Sequence, residues 1–168
     1  MKIQVSTAVQ EGTTQLGAFD AALNATGVAD RNLIRLSSVI PPQSVVETIQ
    51  GPIQNLIGGW GDRLYVVYAQ QRTSTHNEEA WAGIGWVQDE TDGKGLFVEH
   101  EGTSEKQVRQ DIENSLKDLM KTRGVDFGKI NMTVVGGVCK EKPICAFAVA
   151  VYQASDWDNQ ATTLGNEG

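Results

Sequence analysis

Asn32-Leu33-Ile34-Arg35-Leu36-Ser37-Ser38-Val39-Ile40-Pro41-Pro42 runs from a β-prone apolar segment into two hydroxyl residues and a rigid Pro-Pro pair. One reading is a strand over Asn32-Ser37 followed by a turn, since Ser and Pro are ordinary turn residues. The same order also offers a way to hold one peptide bond in a fixed, strained geometry. An N-to-O acyl shift needs such a bond. The Ser38 hydroxyl would attack the Ser37 carbonyl to give an ester, and elimination followed by hydrolysis would leave a pyruvoyl group at the head of residues 38–168. Local composition leaves both readings open.

Outward from this stretch, β-prone runs appear at Lys2-Val9, Leu64-Arg72, Ala80-Val87, Gly95-Glu101, Lys129-Val138 and Ile144-Gln153. Helical spacing appears twice. Thr14-Thr26 places Leu16, Phe19 and Leu23 on one stripe, and Ser104-Arg123 places Val108, Ile112, Leu116, Leu119 and Met120 on another. Ser104 followed by Gln107 is a capping-box signature, and Lys121, Arg123 and Gly124 suit a helix C-terminus. Seven strands and two amphipathic helices predict layered α+β packing in which each helix covers a sheet face. Gln43-Asp62 reads as a long irregular connection, and the polar, acidic end from Ser155, with Trp157, as a disordered tail.

The 168 residues suit a single domain, residues 1–154, followed by that tail. A net charge of −7, with no cluster of Lys and Arg, argues against a nucleic-acid partner. No apolar stretch approaches the length of a membrane span, and the start lacks the apolar core of a signal peptide, so a cytoplasmic protein is expected. Cys139 and Cys145 match neither a CxxC motif nor a zinc ligand set, and Cys145 reads as a buried small hydrophobe. Gly83-Ile84-Gly85 lacks the third glycine of a dinucleotide fingerprint.

Two sets of acidic residues stand out. Asp20 falls one turn after Leu16 and beside Phe19, at the margin of an apolar stripe, where a bound cation would partner it. A solvated helix-face carboxylate is the alternative. Glu99 and Glu101 share a strand face with Phe97, while Val98 and His100 point the other way. A carboxyl beside an apolar surface has its pKa raised and can serve as a general acid near neutral pH. A polar strand end is the alternative there.

Together these residues resemble the pyruvoyl-dependent arginine decarboxylase family. The likeness is carried by Leu16-Gly17-Ala18-Phe19-Asp20-Ala21-Ala22-Leu23, by Asn32 to Pro42, by Gly95-Leu96-Phe97-Val98-Glu99-His100-Glu101-Gly102, and by Cys145-Ala146-Phe147-Ala148. The resemblance implies an α/β/β/α sandwich of mainly antiparallel sheets covered by helices. It implies cleavage between Ser37 and Ser38 into a β chain, 1–37, and an α chain headed by a pyruvoyl cofactor made from Ser38. It further implies that Asn32 lies near the cleavage and decarboxylation site, that Glu99 donates a proton, and that Asp20 receives the guanidinium of L-arginine, with agmatine as product. Family members form homotrimers with active sites between neighbours. The stretch Gln43-Ala80 departs from the family pattern, as do Trp81 and Trp86, which leaves a pyruvoyl enzyme for another amino acid, or a non-catalytic binding trimer, as alternatives.

Overall fold

Along Ile144–Ser155, Ala146, Ala148, Ala150 and Tyr152 face one way and Cys145, Phe147, Val149 and Val151 the other, and all eight are buried. A strand covered on both faces reads as an unbroken apolar run, as this one does. It is the centre of the molecule. In the computed structural model, which describes residues 1–158, β1 (Lys2–Glu11), β2 (Asn32–Arg35), β4 (Val45–Thr48), β5 (Arg63–Thr73) and β9 (Ile144–Ser155) form one sheet in the order β2-β5-β9-β1-β4. A second sheet has the order β3-β7-β6-β8, from Val39–Ile40 (β3), Glu79–Gln88 (β6), Gly95–Gly102 (β7) and Asn131–Val138 (β8). Pairing is antiparallel except for β1 with β4 and β2 with β5.

Three apolar layers hold the stack together. Ile3, Val67, Ala82, Ile84, Phe97, Ala148 and Tyr152 pack between the sheets. Helix α1 (Gln15–Thr26) covers the outer face of the first sheet against Leu64, Val66, Phe147 and Val149. Helix α2 (Glu105–Arg123) covers the second through Val108, Ile112 and Leu116. The Gly83-Ile84-Gly85 run belongs to this last contact: a Cβ on Gly85 would lie 2.1 Å from Ile112 Cγ2, so glycine is what lets α2 approach the sheet. The result is the expected α/β/β/α sandwich. Among the described residues no helix is long and apolar enough to cross a membrane.

The helix ends follow their capping residues. Thr14 Oγ1 accepts from Gly17 N–H, and Ser104 Oγ accepts from Gln107 N–H, so each helix starts on a side-chain cap. Gly27 and Gly124 close them in the left-handed region at φ 84° and 64°. The Gln107 side chain turns to Asp111 instead of back to Ser104, leaving half a capping box.

Three expectations need correction. Leu16 is 66% exposed, because α1 buries Ala18, Ala22 and Thr26, with Phe19 and Leu23 only flanking them. Small residues let the helix sit close, and the stripe is rotated accordingly. Gln43-Asp62 is not wholly irregular, since Val45–Thr48 pairs in parallel with Lys2–Val5. The strand expected over Asn32-Ser37 ends at Arg35. Of the tail, Ser155 closes β9 and Trp157 Nε1 donates to the Gly61 carbonyl; residues 159–168 lie outside the described residues.

Candidate active site

Ser37 and Ser38 occupy the seam between the sheets. Leu36 N–H still donates to Val66 O in the first sheet, whereas Ser38 C=O already accepts from Phe97 N–H at 2.8 Å in the second. Two residues therefore carry the chain from one layer to the other. The turn is made at Ser38, whose φ of 70° lies in the left-handed region. Non-glycine residues are uncommon there, and the conformation persists only where its surroundings impose it.

Those surroundings are specific. Val39 and Ile40 pair with Leu96 and Gly95, and among the described residues the short β3 leaves the rest of that edge of β7 without a partner strand. A cavity of about 410 Å³ opens at this edge, lined among others by Ser37, Ser38, Phe97, Glu99 and His100. The Ser38 hydroxyl donates to Glu99 Oε1 at 2.7 Å. Burial between the sheets raises the Glu99 pKa, while the Ser38 hydrogen bond and the Arg35 charge oppose that rise and Glu101 adds to it. Glu99 is thus a largely buried carboxyl whose neutral form is favoured by its surroundings, in contact with a serine hydroxyl.

The strand alternation read from the sequence is present in detail. Phe97 and Glu99 face the inter-sheet layer, and His100 faces α2, where its Nε2 lies 2.7 Å from Ser115 Oγ. Glu101 is exposed. Cys145 is fully buried, and burial pushes its thiol pKa up to about 11, as suits an inert core thiol.

Asp20 and Asn32 do not join this cluster within the chain. Asp20 is exposed on α1, so its solvated reading applies to the single chain, and no residue of α1 lines the Ser38 cavity. Ala18 and Ala22 point at the sheet, and a residue two positions from each falls on the far side of the helix. Asn32 begins β2, and the strand alone separates it from Arg35 by about 10 Å. Its side chain donates to Gly61 O at 2.6 Å, in the loop that also carries the 86% exposed Trp60.

Sequence reasoning missed Tyr152. Its ring packs 6.0 Å from that of Phe97, and its hydroxyl donates to Val39 O at 3.1 Å. Burial, with Glu99 nearby, raises its pKa. The available signal was the alternation Ala146, Ala148, Ala150, Tyr152, which puts the phenol on the inter-sheet face. Arg35 was also missed, and its guanidinium stacks over Tyr68 at 4.9 Å.

Comparison with known proteins identifies the family of the chain. The family model described as pyruvoyl-dependent arginine decarboxylase matches residues 2–157. The chain belongs to that family. Curated pyruvoyl-dependent arginine decarboxylases agree with it across most of both chains. The Thermococcus sibiricus protein is 30% identical over 142 residues, 84% of this chain and 87% of its own. The Methanocaldococcus jannaschii protein is 31% identical over 142 residues, 83% and 82% of the two chains, and that of Pyrococcus abyssi is 30% identical over 145, 86% and 89%. A pyruvoyl-dependent arginine decarboxylase is a carboxy-lyase with a pyruvoyl prosthetic group. The residues present fit that group: a half-buried serine hydroxyl on a raised-pKa carboxyl, with the same residue's carbonyl held by a backbone donor.

Proposed function

We propose that the chain cleaves itself between Ser37 and Ser38 and then decarboxylates L-arginine to agmatine and carbon dioxide. The observation that carries this reading is the 2.7 Å hydrogen bond from Ser38 Oγ to Glu99 Oε1 at a serine in the left-handed region. In the first reaction ionised Glu99 takes the hydroxyl proton as Oγ bonds to the Ser37 carbonyl carbon, and returns it to the Ser38 nitrogen as the peptide C–N bond breaks, leaving an ester and the Ser38 amine. Loss of the Ser38 α-proton then expels the Ser37 carboxylate from Cβ. One water hydrolyses the resulting enamine, in its imine form, to a ketone and releases ammonia. The products are residues 1–37 and a larger chain headed by pyruvoyl.

The pyruvoyl group supplies an electron sink for the carbanion left when carbon dioxide departs. The chain supplies placement and protons. Phe97 N–H, which holds the residue-38 carbonyl, favours charge on that oxygen. Protonated Glu99 returns the proton that replaces the carboxylate on the substrate α-carbon. Asp20 receives the guanidinium through a charge-assisted, bidentate contact. Because Asp20 and Asn32 are exposed and apart from Ser38 within one chain, the working unit in this reading is a homotrimer of cleaved protomers whose neighbours bring these residues to each Ser38.

Intact-mass analysis tests the reading directly. Two chains are expected, the larger with a blocked N-terminus, and borohydride should reduce the ketone and stop release of carbon dioxide from arginine. A single chain of 168 residues in the purified protein, stable over days, overturns it.

A further inference from the structure

We propose that Tyr152 is a positioning residue for bond cleavage: through Val39 it holds the segment that follows the Ser37–Ser38 bond. The inference rests on the reading that this bond is the one cleaved. Three hydrogen bonds fix the turn. Ser38 Oγ is held by Glu99, Ser38 C=O by Phe97 N–H, and Val39 C=O by the Tyr152 hydroxyl. The first two come from β7, in the same sheet as β3. The third reaches across the sandwich from β9, in the other sheet, and joins residues 113 apart in sequence.

The third bond matters because β3 is weakly anchored. It has two residues, and the Val39 side chain is 53% exposed, so only Ile40 contributes buried apolar surface. A left-handed serine relaxes unless both flanks are fixed. On the upstream flank Leu36 is tied to Val66. On the downstream flank Tyr152 is the tie to the same sheet, so the two residues of the seam are stretched between anchors on β5 and β9. The ring is itself fixed by burial, at 9% exposure, and by its edge contact with Phe97. Its raised pKa keeps the phenol protonated, as a donor to a carbonyl must be.

Tyr152→Phe retains the ring and removes only the donor. Tyr65→Phe is the control: Tyr65 packs against the same inter-sheet core, and its hydroxyl accepts from Ser155 Oγ without touching β3. Freshly synthesised chains are followed by intact mass over time. Tyr152→Phe should slow cleavage about tenfold, as expected for one buried carbonyl left unpaired, while Tyr65→Phe keeps the wild-type rate and both keep their Tm within a few degrees. Cleaved Tyr152→Phe should lower kcat with KM for arginine unchanged, because residue 38 is displaced and the substrate's guanidinium contact is not. Equal cleavage rates for wild type and Tyr152→Phe overturn the inference alone. So does equal slowing in both variants, which would make the effect general core loosening. A wild-type chain that never cleaves overturns the underlying reading, and this inference with it.

Discussion

The seam at Ser38 and the solvent-facing pair Asp20 and Asn32 are built on different principles. At the seam every polar atom discussed has a partner inside the chain: hydroxyl to Glu99, carbonyl to Phe97, next carbonyl to Tyr152. Asp20 stands in solvent on α1, and Asn32 holds a loop carbonyl at the outer end of β2. The contrast separates two tasks. A fixed intramolecular geometry suits a reaction of the chain on itself, and exposed groups suit recognition of a molecule or a neighbouring chain. If that division is right, changes at the seam affect cleavage and turnover, and changes at Asp20 affect substrate alone.

The largest effect is expected at Glu99. Glu99→Gln keeps the shape and a hydrogen-bond partner for Ser38 but can neither take a proton nor return one. Turnover should fall by about a hundredfold to ten-thousandfold, the range for loss of a general acid or base, and cleavage should slow as well. Wild-type chains should also show opposite pH trends for the two reactions. Cleavage quickens as Glu99 ionises, at a pH above the ordinary 4.5 because burial raises its pKa, and decarboxylation slows over the same range. Parallel trends would mean that Glu99 does not serve both.

Asp20→Asn sharpens the other side of the comparison. Cleavage should be unchanged by intact mass, and KM for arginine should rise about tenfold to a hundredfold, as for a lost charge-assisted contact. Mixing chains then tests whether neighbours share sites. Ser38→Ala and Asp20→Asn chains, each poor alone at low arginine, should on co-expression recover up to about a quarter of wild-type activity, since random assembly pairs an intact Ser38 with a neighbour's intact Asp20 at that frequency. No recovery would place Asp20 and Ser38 in the same protomer's site, or Asp20 in none.

What could be read from the sequence divides along the same line. The six long strands, the existence of β2, both helices and the facing of Glu99 were legible because alternation and 3.6-residue spacing are local signals. The Ser-Ser-Val-Ile-Pro-Pro element marked the seam, yet nothing local said that Ser37-Ser38 passes between two sheets. The strand β4 was hidden because its pairing partner is the N-terminal strand, and Val45 is 63% exposed, so no alternation marks it. Leu16 misled because alanines, not the largest apolar side chains, make the close helix contact. Tyr152 was invisible as a site residue because its role is a contact to the backbone of Val39, and backbone acceptors carry no residue type.

The smallest expected effect concerns stability, again through Glu99. Burial disfavours its charged form, so the folded chain keeps the proton to a higher pH than the unfolded chain, whose Glu99 titrates near 4.5. Between those two pKa values the native state binds more protons, and stability falls as pH rises through the window. Uncleaved Ser38→Ala chains remove the complication of chain scission, although they also lose the hydroxyl that stabilises the Glu99 carboxylate, which steepens the slope. In that background Glu99→Gln should flatten the fall of Tm with pH above 4.5, a difference of about a few degrees at neutral pH. An unchanged slope in the Glu99→Gln chain would mean that water reaches the carboxyl freely, and the seam would then be as solvent-facing as the region it is contrasted with.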